Sequence, residues 1–109
     1  MDIEVSEKNG ITILHFQGRL DMYNVTELRE SFQDLLNKKK FKVILDLYKI
    51  TFIDSSALGA IISLSNSLQV NGYRLRICID KQKLLLFHHF ALDKQMSLHS
   101  SLEAALLSF

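Results

Sequence analysis

Proline is absent from these 109 residues and glycine occurs only four times, so bends fall to Gly, Asn and Asp. Cysteine occurs once, as Cys78, which excludes an internal disulfide framework. No apolar run approaches the roughly 18 residues of a membrane span. Charge of one sign is also lacking: thirteen Lys and Arg face twelve Asp and Glu, leaving +1. Without a global field to draw in polyphosphate or an anionic bilayer, nucleic acid and membrane are set aside as partners. The N-terminus has no basic, apolar, small-residue order of a secretory signal, so a cytoplasmic protein is expected.

Several catalytic devices are missing too. There is no Gly-x-Gly-x-x-Gly, no Gly-x-x-x-x-Gly-Lys-Ser/Thr and no Gly-x-Ser-x-Gly. Dinucleotide binding, a Walker-type phosphate loop and a nucleophile elbow therefore lack their sequence signature, and no cofactor is expected. His88 and His89 are adjacent, turned roughly 100° apart on a helix, whereas a metal pair on one helix face wants i, i+4. His15, His99 and Cys78 would meet only through the tertiary fold, so no structural metal is expected.

What is present is the composition of one globular domain, 1–109, with 48% apolar and 23% charged residues. Alternating segments at 3–6 and 11–17 flank Asn9-Gly10, a hairpin turn signal because both residues tolerate positive φ. Gly18 is expected to end the second strand. Asn24 with Glu27 forms a capping-box pattern, and Val25, Leu28, Phe32, Leu35 and Leu36 mark one face of a first helix. Lys38-Lys39-Lys40 reads as a complement to that helix's negative end or as a small basic patch. The run 41–47 suits a strand buried on both faces, and the stretch 46–53 connects it to a second helix.

That helix starts at Asp54-Ser55-Ser56, carries Ala57, Ile61, Leu64 and Leu68 at helical spacing, and stops at Asn71-Gly72. Tyr73, Leu75, Ile77 and Ile79 alternate with Arg74, Arg76 and Cys78 as a fourth strand. A short helix over 81–89, a short strand over 95–98 and a terminal helix capped by Ser100 with Glu103 complete the chain. The alternation predicts an α/β domain with a mixed sheet of four to five strands and about four helices, mainly packed on one face.

Asp54-Ser55-Ser56-Ala57-Leu58-Gly59 stands out because two hydroxyls meet the first N–H groups of a helix, which lack intrahelical partners. A phosphate there would add about −1.5 to −2 charges in a position favoured by the helix dipole. Plain capping is the competing reading, since Asp and Ser are common caps. Asp21 is either a solvated loop residue or a binding residue, depending on whether strand two points it to the same rim. Ser55 as an enzymatic nucleophile lacks a sequence-positioned base.

Gly18-Arg19-Leu20-Asp21, Val43-Ile44-Leu45-Asp46-Leu47 and Phe52-Ile53-Asp54-Ser55-Ser56-Ala57-Leu58-Gly59 together resemble the STAS domain, in particular bacterial anti-sigma factor antagonists. Asn71-Gly72-Tyr73-Arg74-Leu75, Leu86-Phe87 and Ser101-Leu102-Glu103-Ala104-Ala105-Leu106 extend the resemblance over nearly the whole chain. Ala57 and Ala91 depart from it, standing where the family usually and commonly has Gly. The resemblance implies a non-enzymatic partner switch. Its unmodified form binds an anti-sigma serine kinase of the histidine-kinase-like ATPase fold, releasing a sigma factor or other target. Phosphorylation of Ser55, with Ser56 as second choice, abolishes binding, and a metal-dependent serine phosphatase restores it. Asp21, Asp54, Ser56, Leu58 and Gly59 are the implied partner-binding residues. An unphosphorylated STAS subunit of a transport or signalling complex is the alternative, and a segment around His88, His89 and Phe90 is a candidate for dimerisation.

Overall fold

The computed structural model describes residues 2–89 and 94–109, and for Asp2, Leu86, His88 and His89 it describes the backbone only. The strands are β1 (Asp2–Lys8), β2 (Ile11–Leu20), β3 (Val43–Ile53), β4 (Arg76–Cys78) and β5 (Ser97–His99). The helices are α1 (Val25–Asn37), α2 (Ser55–Val70), α3 (Lys81–His89) and α4 (Leu102–Leu107). One five-stranded sheet runs in the order β1-β2-β3-β4-β5. Only β1 is antiparallel; β2 to β5 are parallel and joined by crossover helices. The hairpin turns at Asn9 and Gly10, both at positive φ.

The sheet's two faces are unequally covered. Leu28, Phe32 and Leu35 of α1 and Ala57, Ile61, Leu64 and Leu68 of α2 pack with Leu14, Leu45, Leu75, Ile77 and Phe87 into the main core. On the other face α4 contributes Ala105, with Leu102 and Leu106 beside it, to a small cluster with Ile11, Ile13 and Ile44. The central strand is buried on both sides: Val43, Ile44 and Leu45 are fully enclosed.

Four local expectations are corrected. Gly18 does not end β2; at φ 92° it lies at a register shift, and the strand continues to the buried Leu20. β3 likewise runs on to Ile53, because Ile50 turns back into the core and pairs Gly18. Asn24 precedes α1 but makes no capping bond; its amide instead accepts from Asp21 N–H at 3.0 Å and donates to Arg19 C=O. The cap of α4 is Ser101, one residue after Ser100, accepting from Ala104 N–H at 3.1 Å. Lys38 pairs with Asp34 and Lys40 with Glu7. Phe90 and Ala91 lie outside the described residues.

Candidate functional site

Parallel pairing of β2 and β3 brings their carboxyl ends to one rim. Leu20 faces Ile53 in register, and Asp54 N–H donates to Leu20 C=O at 3.1 Å. The loops carrying Asp21 and Asp54 are therefore neighbours, the arrangement in which open α/β sheets place binding sites.

Asp54 joins them. Its Oδ1 accepts from Ala57 N–H at 3.1 Å, capping α2, while its Oδ2 accepts from Met22 N–H at 3.0 Å. One carboxylate thus fixes both the helix start and the β2–α1 loop. That loop is braced from within: Asp21 accepts from Tyr23 N–H at 3.0 Å and pairs with Arg19 at 3.3 Å. The Arg19 guanidinium also stacks 4.1 Å from the Phe52 ring centroid.

At the head of α2, Ser55 is exposed and Ser56 half-buried. Asp54 takes the N–H of Ala57, while the N–H groups of Ser55 and Ser56 have no partner among the described residues. A dianion on Ser55 would find free donors and the positive end of a 16-residue helix. No hydrogen bond joins Ser55 to a histidine among the described residues. Ala57 is wholly buried with its methyl in the core, so it fits the helix without displacing the loop.

Two implied contact residues sit deeper than direct contact requires. Leu58 is 7% exposed and belongs to the core, and the Asp21 side chain is 12% exposed. Gly59 is half-buried where α2 faces α1; a methyl there would meet Arg29 at 3.9 Å, ordinary contact. What sequence reading missed is the apolar border: Tyr23 is 88% exposed, Met22 65%, and Phe52 is also open. Unpatterned apolar residues in a loop beside the Asp-Ser-Ser motif were the available signal.

No group of three or more His, Cys, Asp or Glu placed to hold a metal occurs among the described residues. None of the described helices is long and apolar enough to cross a membrane.

Comparison with known proteins adds to this geometry. The family model described as STAS domain matches residues 2–105. The anti-sigma F factor antagonist of Paenibacillus polymyxa is 24% identical over 79 residues, 72% of this chain and 68% of that protein. Among solved structures, an anti-sigma factor antagonist from Mycobacterium paratuberculosis superposes with a TM-score of 0.90 at 18% identity, covering 98% of this chain and 92% of that one. The Bacillus cell fate determinant SpoIIAA in its phosphorylated form gives 0.76 at 16% identity, covering 99% and 100%. At these identities the structures speak for the shared fold.

Proposed function

The chain belongs to the STAS family, and from that premise we propose that it is an anti-sigma factor antagonist whose binding is switched off by phosphorylation of Ser55. Unmodified, it binds an anti-sigma serine kinase of the histidine-kinase-like ATPase fold, which thereby gives up its sigma factor or other target. The kinase transfers a phosphoryl group to Ser55, and a metal-dependent serine phosphatase removes it. The protein itself is not an enzyme in this scheme and acts in the cytoplasm.

The observation that carries this reading is the exposure of Ser55 beside two unpaired N–H groups, next to a loop held by Asp54. Met22, Tyr23 and Phe52 supply apolar area for docking, and Ser56 and Gly59 flank it. Asp21, Asp54 and Leu58 hold the surface in shape. The added dianion is tolerated by its own helix, so the fold survives and only the partner responds.

Electrostatics suffices for the response. Two negative charges about 7 Å from a partner carboxylate or nucleotide phosphate repel by roughly 4 to 5 kcal/mol at an effective dielectric near 20. Screening lowers this, yet a remaining 2.8 kcal/mol weakens binding about a hundredfold. Incubation with the candidate kinase and ATP, followed by peptide mass spectrometry, tests the reading: phosphate is expected on Ser55. Tight binding to the kinase with no phosphate gained would favour the constitutive STAS subunit instead.

A further inference from the structure

On the sheet face away from α1 and α2, three strands bring together a serine, a histidine and an aspartate far apart in sequence. The Ser6 hydroxyl of β1 lies 2.9 Å from His15 Nε2 on β2, and His15 Nδ1 lies 2.9 Å from Asp46 Oδ2 on β3. From this geometry we infer that Ser6, His15 and Asp46 form a nucleophilic relay able to accept a small acyl group from a neutral ester or thioester.

The order of atoms supports it. Asp46 accepts a hydrogen bond from Nδ1–H, which leaves the Nε2 lone pair facing the Ser6 hydroxyl, the tautomer a general base needs. Asp46 is itself held: its Oδ1 accepts from Tyr48 N–H at 3.2 Å, and it faces the buried Cys78 across the β3–β4 ladder. Burial, with Asp46 adding to it, pushes the Cys78 thiol up to about 11, so it stays neutral beside the carboxylate at neutral pH. His15 faces Asp46 across the β2–β3 ladder and Glu4 across the β1–β2 ladder, so backbone register as well as side-chain bonds fixes the imidazole.

Beside the pair lies a hollow of about 220 Å³ lined by Glu4, Gln17 and Lys49 with His15 and Asp46. It has room for a short acyl chain. Glu4 at its edge disfavours an anionic acyl group. Ser6 is exposed and open to approach.

The step balances without a further reactant. Ser6 Oγ bonds the carbonyl carbon as its proton passes to His15 Nε2, and collapse breaks the bond to the leaving alcohol or thiol, which takes that proton. Water then attacks the acyl-Ser6, gives a proton to His15, and the proton returns to Ser6 as the acid leaves.

The test uses the full chain and a fluorophosphonate probe, in which Ser6 displaces fluoride as its proton passes to His15. Mass spectrometry is expected to find the adduct on Ser6 and not on Ser55, and p-nitrophenyl acetate is expected to be hydrolysed above background. His15→Gln should slow labelling about a hundredfold and Asp46→Asn at least tenfold, in variants whose circular dichroism matches the parent. Absence of a Ser6 adduct on the parent protein, at probe levels that label a serine hydrolase run alongside, overturns the inference. So does equal labelling in a folded His15→Gln.

Discussion

Ser55 and Ser6 are both exposed hydroxyls on one sheet scaffold, and their surroundings prepare them for opposite chemistry. Ser55 sits at the head of α2 with free N–H groups and, among the described residues, no histidine bound to it, an environment that receives a charge made elsewhere. Ser6 sits on the open face with an imidazole against its oxygen, an environment that makes a nucleophile. The difference shows that exposure alone says little about a serine. What decides is whether the neighbouring groups stabilise an added anion or remove a proton.

Breaking the Ser55 side should give the largest effect. Ser55→Ala should stay bound to the kinase whether or not ATP is supplied, while Ser55→Asp should bind about a hundredfold more weakly. Pull-downs with equal retention of both would count against a charge-based switch. Asp54→Ala should follow, since it removes the α2 cap and the Met22 tether together. Denaturant unfolding should read a loss of about 1 to 2 kcal/mol, and Asp54→Asn should recover most of the capping part. Asp21→Ala should cost about 1 kcal/mol, through the freed Tyr23 N–H and Arg19, together with weaker kinase binding. Lower affinity with unchanged melting would instead make Asp21 a direct contact.

The smallest effect concerns His99, on the same face as Ser6. Burial first, and Arg76 second, lower its pKa below the usual 6.5. The unfolded chain therefore binds the proton more readily, so the stability His99 contributes is full above about pH 6.5 and is lost as pH falls through the folded value. His99→Leu should flatten that part of the pH dependence in melting curves taken between pH 5 and 8.

The α1 and α2 side of the molecule was legible because helical periodicity and core burial are the same fact seen twice. Ala57, Ile61, Leu64 and Leu68 repeat at the spacing that keeps them on one face, and all are buried. Asp54 was legible because capping is local, its partner Ala57 lying three positions along the chain. Asn24 carried the same local signal and serves differently, because the Asp21 turn competes for its amide. The open face was not legible. Ser6, His15 and Asp46 meet only once β1, β2 and β3 are paired in a fixed register, and the bulges that extend β2 and β3 past Gly18 have no periodic trace. The motifs that carry the STAS resemblance include Asp46 but neither Ser6 nor His15, so they do not announce the contact among the three.

The most direct measurement compares protein carrying phosphate on Ser55 with the unmodified form, recording melting temperature and kinase affinity for both. The account predicts nearly the same melting temperature and an affinity about a hundredfold lower after modification. Equal affinities, or a modified protein that has lost its fold, would contradict it.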